Sequence, residues 1–229
     1  MAQVNAQADA DESVLRLSLD AKASVYVGDY SRGGRSRVHV QALDHDFQPD
    51  AKLTPFGIFL PEHDQLYLYF TASKLTSDFM LDCLSDCWTK LRQQFPQVTT
   101  LVLNLDNGPE NHSRRTQFMQ RLTEFADGFQ LTLDLAYYPP YHSKYNPIER
   151  VWGVLEKHWN GSLLDSCHTV LQFAQTMTFR GRCPAVQLLT KVYHSGVKLT
   201  QKQMAQLEQR FFRRTHLAKW FVRIAPVNP

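Results

Sequence analysis

The stretch Val98 to Asp106, VTTLVLNLD, limits the architecture of this chain more than any other. Leu101, Val102, Leu103 and Leu105 leave no polar face for solvent. Nearly continuous apolar runs of this kind belong to strands covered on both faces. The chain must therefore supply helices for both sides of one sheet. The run closes on an acid, Asp106, and Asn107-Gly108-Pro109 breaks the chain at once.

Further elements follow from periodicity. Val14 to Asp20 alternates, with Leu15, Leu17 and Leu19 on one side, and also ends in an acid. Ser24 to Asp29 reads as a second strand, linked closely enough to the first for a hairpin. Val38 to Pro61 reads as irregular, with Pro49, Pro55 and Gly57, and as room for short strands only. Gln65 to Ala72 and Phe129 to Tyr138 read as strands, and Val98 to Asp106 stands between them. Helices are expected over Ser77 to Phe95, Ser113 to Phe125, Ser166 to Phe179 and Thr200 to Thr215, with a short terminal strand over Trp220 to Ala225. The expected fold is α/β: a five-stranded mixed sheet with helices on both faces over residues 14–161. A disordered leader over residues 1–13 and a basic helical extension over 162–229 complete the expected organisation.

The net charge of +3 hides an asymmetry. Arg150 to Pro229 hold 12 Lys+Arg against 3 Asp+Glu, whereas residues 1–149 hold 13 against 19. A basic final third with interleaved aromatics (Phe211, Phe212, Trp220, Phe221) suits a polyanion or a solvated helix face. Ser31 to Arg37, SRGGRSR, is a basic glycine-rich turn without the lysine and spacing of a P-loop. Cys83 and Cys87 lie one helical turn apart, without further zinc ligands at suitable spacing, and read as core. No apolar run reaches membrane-span length, and the N-terminus lacks the pattern of a signal peptide. A cytoplasmic, nucleoid-associated protein is expected.

A third acid stands in Tyr137 to Gly161, YYPPYHSKYNPIERVWGVLEKHWNG. Pro139 and Pro140 stop the preceding strand. Asn146 is a suitable N-cap and Pro147 suits the first helical position, which puts Glu149 in the first turn. Ile148, Trp152, Leu155 and Trp159 form the buried stripe. On helix grammar alone, Asn146 and Glu149 read as a capping box. In company with Asp20 and Asp106, however, Glu149 would complete a trio of carboxylates. Three converging acids repel one another unless a cation neutralises them, and all-oxygen donors select magnesium or manganese. Two such ions about 4 Å apart suit in-line displacement at a phosphodiester.

Asp106-Asn107-Gly108-Pro109-Glu110 resembles the second-acid motif of DDE transposases of the ribonuclease-H-like superfamily. Tyr138 to Glu149 resembles the third-acid motif of the mariner-like branch, and 42 residues separate the two acids. Pro140 to Glu149, with Leu19-Asp20-Ala21-Lys22 and Gly28 to Gly34, resembles bacterial insertion sequences of the ISAzo family more closely than the mariner-like branch. The resemblance covers roughly residues 14–161. It implies a ribonuclease-H-like fold with Asp20, Asp106 and Glu149 as catalytic metal ligands for two Mg2+ or Mn2+ ions. It also implies cleavage at transposon ends and 3′-hydroxyl strand transfer into target DNA, within a homodimer or higher synaptic assembly. Lys22, Arg32, Arg35, His112, His142 and Lys144 become candidate DNA contacts. Glu110 is given a supporting or structural role beside the ligands. Family members usually carry an N-terminal helix-turn-helix, for which the chain has no room before Val14. A truncated catalytic part is therefore expected, the alternative being an inactive remnant that only binds nucleic acid.

Overall fold

The central run forms a strand inside a sheet wider than expected. The structure, a computed structural model, describes residues 1–29, 51–139 and 145–227. Nine described strands pair in one sheet: β1 (Val14–Ala21), β2 (Val25–Val27), β3 (Ala51–Leu60), β4 (Gln65–Thr71), β5 (Thr100–Leu105), β6 (Thr132–Tyr137), β7 (Ala185–Leu189), β8 (Phe211–Arg213) and β9 (Phe221–Ile224). Their order is β7-β4-β3-β1-β5-β6-β9-β8, with β2 paired to β3. The helices are α1 (Ala2–Asp9), α2 (Ser77–Leu91), α3 (Thr116–Phe129), α4 (Glu149–Trp159), α5 (Cys167–Thr176) and α6 (Gln201–Glu208).

Two hydrophobic layers sandwich the sheet. On one side Leu15, Leu17 and Leu19 of β1 join Leu101, Leu103 and Leu105 of β5 beneath α2 and α3, with Cys83 and Cys87 buried among them. On the other, Leu53 and Phe59 of β3 join Phe70 of β4 beneath α4 and α5. The alternation of β1 thus buries both faces, and the apolar series of β5 is explained by cover on both sides.

Four expectations change. The second strand does not form a hairpin with the first: β2 pairs antiparallel with β3, and β1 pairs antiparallel with β3 and parallel with β5. The stretch read as irregular holds β3, a ten-residue central strand. Pro55 is tolerated because the β1 ladder ends at Ala21 opposite Phe56; beyond it the Lys22 amide donates to the Pro55 carbonyl at 3.0 Å. The polar leader forms α1, whose Ala8 packs with Val102 and Ala136 while Asp9 accepts two hydrogen bonds from buried Arg16. Finally, residues 162–229 are not merely a helical extension: they lend β7, β8 and β9 to the sheet.

The charge asymmetry gains a structural reason. Arg180, Lys191, Arg210 and Arg223 from the basic third pair with Asp64, Asp82, Asp127 and Asp134 of the acidic part. Arg223 of β9 thereby ties to β6, and the other three tie the last third to α2, α3 and the turn between β3 and β4, so part of the basic surplus is internal complementarity. No helix among the described residues is long and apolar enough to cross a membrane.

Candidate functional site

Strands β1 and β5 run parallel in the register Ser18 opposite Asn104. Two residues beyond that pair come Asp20, still in β1, and Asp106, just past β5, so both acids stand at the carboxyl ends of neighbouring parallel strands, near enough for the Asp106 charge to act on Asp20. Asp20 is buried, Asp106 half-buried.

Glu149 reaches this end because its helix is fastened to β1. The helix begins at Glu149 rather than at Asn146, and its cap position, Ile148, makes no side-chain cap bond. Asn146 is not a capping residue. Its buried side chain donates from Nδ2 to the Leu19 carbonyl at 3.0 Å and accepts from the Ser18 hydroxyl. The Ser18 hydroxyl in turn accepts from the Ile148 amide at 3.0 Å, and the Glu149 amide bonds the Asn146 carbonyl at 3.0 Å. The polar motif is therefore a strap between β1 and the start of α4, so the capping-box reading fails. Ser18→Ala removes a donor and an acceptor at one buried point. It is expected to lower stability by about 1–3 kcal/mol, which denaturant unfolding would measure.

One turn into α4, Trp152 donates from Nε1 to Asp20 Oδ2 at 2.7 Å. The indole fits because β3 carries Gly57 opposite Asp20. A Cβ at Gly57 would lie 2.8 Å from both Ile148 Cδ1 and Trp152 Cη2. Sequence reading took this glycine for a strand breaker, although its function is to admit α4.

Asp106 is held from its own turn. Asn111 donates from Nδ2 to Asp106 Oδ1 at 2.6 Å, and the buried Tyr137 hydroxyl donates to the Asn111 carbonyl at 2.8 Å. Gly108 lets the turn close over the acid, since a Cβ there would stand 3.0 Å from Asp106 Oδ2. Sequence reasoning missed Ser18, Gly57, Asn111 and Trp152 as supports of the acids, because none of them carries charge.

Electrostatics ties the three acids together. Burial pushes the Asp20 carboxyl up to about 7, the Trp152 hydrogen bond opposes this, and the charges of Asp106 and Glu149 push it further up. Mutual repulsion between carboxylates is what a cation would relieve, and a donor set of oxygens alone fits magnesium or manganese. Among the described residues, however, no three His, Cys, Asp or Glu side chains are grouped closely enough to hold a metal ion.

The remaining candidates divide. Lys22 pairs with Glu156 of α4 at 2.5 Å, a third tie between β1 and α4. His112 is half-buried, with Nδ1 accepting from the Arg114 amide at 3.2 Å; burial and the Arg115 charge hold its pKa below the usual histidine range. Glu110 pairs with Arg115 at 3.0 Å, so it braces the turn. Arg32, Arg35, His142 and Lys144 lie outside the described residues.

A family model described as Rhodopirellula transposase DDE domain matches residues 1–226. No curated protein matches the chain. Among solved structures, the chain is similar to the Mos1 transposase paired-end complex with left transposon end, at 12% identity and a TM-score of 0.50, covering 71% of this chain and 46% of that one. It is also similar to the Mos1 mariner paired end complex with Mn, at 10% identity and a TM-score of 0.52, covering 75% of this chain and 50% of that one. The chain thus spans about half the length of those proteins. At such identities the likeness is one of fold, and that fold is ribonuclease-H-like, with a sheet wider than five strands.

Proposed function

The chain belongs to the Rhodopirellula transposase DDE domain family, and from that premise we propose that Asp20, Asp106 and Glu149 form a divalent-ion site for DNA transposition. The proposed reaction is cleavage of phosphodiesters at a transposon end, followed by attack of the freed 3′-hydroxyl on target DNA. The observation that supports this best is geometric: the parallel β1–β5 register sets Asp20 beside Asp106, and the strap from β1 brings the first turn of α4 to the same end.

Magnesium or manganese bound there would activate the attacking oxygen and stabilise the leaving one. The protein's part is orientation. Trp152 fixes one oxygen of Asp20, and Asn111 fixes one oxygen of Asp106, so neither carboxylate rotates freely. Both donors are neutral, so they orient the acids without cancelling the charge that a cation needs. Lys22 and His112 stand as the described candidates for phosphate contact.

Calorimetric titration of Mn2+ tests the site without relying on turnover. The wild-type chain is expected to bind Mn2+, and Asp20→Asn, Asp106→Asn and Glu149→Gln each to lose most of that binding. Equal binding by all four proteins would overturn the assignment. Asn111→Leu, which removes the donor to Asp106, is expected to weaken Mn2+ binding by about 10- to 100-fold, the size typical of residues that support metal ligands.

A further inference from the structure

We infer that Arg213, more than a hundred residues after Asp106, is a positioning residue for that acid, because it latches the turn that carries it. The inference rests on the reading of Asp106 as an ion ligand. Inside the turn, the Asn111 and His112 amides share the Gly108 carbonyl at 3.4 and 3.1 Å, and the Arg115 amide bonds the His112 carbonyl at 2.9 Å. Other carbonyls of the turn are taken by side chains from elsewhere. Ser77 Oγ, from the first residue of α2, donates to the Glu110 carbonyl at 2.7 Å. The Tyr137 hydroxyl, at the end of β6, holds the Asn111 carbonyl at 2.8 Å. Arg213 Nη2, from the last residue of β8, donates to the Ser113 carbonyl at 2.9 Å.

Three anchor points fix a rigid body, whereas two leave it an axis to swing about. Without Arg213 the turn would keep only Ser77 and Tyr137 on its carbonyls, apart from a longer bond of 3.3 Å from the Ser113 hydroxyl to the Lys219 carbonyl. Asn111 passes any swing on to Asp106, since its Nδ2 holds Asp106 Oδ1 at 2.6 Å. Packing does not replace the latch, because a cavity of about 390 Å3 lies against Ser113 and Arg213. Hydrogen bonds therefore hold the turn on this side.

Arg213 is itself held still. Its Nε and Nη2 form a fork on the Glu208 carboxylate of α6, and its Nη1 donates to the Ala218 carbonyl at 3.2 Å. A forked pair fixes a guanidinium in direction as well as in place. Glu208 also offsets the positive charge, so the latch does not repel a cation at Asp106. Electrostatics places the guanidinium and the acid near one group. Burial pushes the Tyr137 hydroxyl up, the charge of Arg213 opposes this, and the charge of Asp106 adds to it. The phenol that holds Asn111 thus lies between the latch and the acid in effect. The late part of the chain contributes to the site as well as to the sheet.

The test combines hydrogen exchange of the 106–115 turn with calorimetric titration of Mn2+, on the full chain at a temperature where every variant is folded. Arg213→Met is expected to speed exchange of the turn amides about tenfold, the factor for one lost charge-assisted hydrogen bond. It is expected to weaken Mn2+ binding about tenfold as well, the lower end for residues that support ligands. Arg213→Lys, which keeps a charged donor, should recover part of both. Ser77→Ala, a milder change at a second anchor, should shift both in the same direction. Arg223→Met releases another late arginine, the one paired with Asp134, and should leave turn and ion as in wild type. An arginine that only fastened α6 to β8 would change the melting temperature and neither readout. Unchanged exchange and Mn2+ affinity in Arg213→Met overturn the inference, as does an equal loss in Arg223→Met. If the wild-type chain binds no Mn2+, the reading of the acids fails, and exchange of the turn still decides the latch.

Discussion

Asp106→Asn is expected to reduce metal-dependent phosphodiester cleavage by about a thousandfold or more while leaving the fold intact. The size follows from the role: removing one anionic ligand takes charge from the point where transition-state charge develops, and each factor of ten corresponds to about 1.4 kcal/mol of barrier. The fold should survive because asparagine has nearly the same shape and its amide oxygen can still accept from Asn111 Nδ2, the 2.6 Å bond that holds the side chain. Replacing one of three mutually repelling acids also relieves repulsion on Asp20. Melting temperature and cleavage rate, measured on the same preparation, check both halves. A variant that unfolds, or one that cleaves as fast as wild type, contradicts this account.

The second large effect belongs to a residue without a side chain. Gly57→Ala is expected to destabilise the protein by about 1–3 kcal/mol, the usual size of core overpacking. It should also depress activity beyond what stability explains. The added Cβ would meet Ile148 Cδ1 and Trp152 Cη2 at 2.8 Å. Ile148 can turn its terminal methyl aside, but the Trp152 ring is rigid and its Nε1 is held by Asp20. Either the indole leaves Asp20 or α4 moves with Glu149, and each outcome disturbs an acid. Gly57→Val should be worse. Chemical denaturation gives the stability, and Mn2+ affinity at a temperature where the variant is folded reports the displacement of the acids. Unchanged Mn2+ affinity would show that α4 absorbs the methyl without moving Glu149.

These two residues mark what could be read from sequence. Residues that repeat with the period of their element were legible: the leucines of β1, the run of β5, the stripe of α4 from Ile148 to Trp159 and the apolar face of α2. The acids at the ends of β1 and β5 could be paired only through the likeness to a ribonuclease-H-like sheet, in which those two strands are neighbours. Less legible were residues whose meaning depends on a distant partner. Gly57 and Pro55 have low strand propensity locally, yet β3 lies between β1 and β4, and packing against α4 requires a missing Cβ. Asn146 has the local form of a cap, but Ser18 and the Leu19 carbonyl, more than a hundred residues earlier, claim its side chain. Asp9 sits in a polar leader until buried Arg16 is seen to need it. The half-exposed strands β7 and β8, five and three residues long, are too short to show a period.

Among the supports of the site, Trp152 best shows how structure and chemistry share residues. Its ring packs in the core beneath α4 while its N–H orients Asp20, so a single side chain couples helix position to carboxylate position. The strap through Ser18 and Asn146 does the same for the first turn of α4. Both links join the helix to β1 rather than to β5. Glu149 is therefore expected to move with Asp20, and Asp106 to be set separately by its own turn through Asn111 and Tyr137.

The most direct test of the central claim is strand transfer by the purified chain. DNA carrying a pre-cut end with a free 3′-hydroxyl would be incubated with a plasmid target in Mn2+ or Mg2+, and joined product would be counted. The account predicts joined product with the wild-type chain, dependent on the divalent ion, and none with Asp20→Asn, Asp106→Asn or Glu149→Gln. Joining that persists in these variants would contradict it, as would no joining by a wild-type chain that binds both Mn2+ and the DNA end.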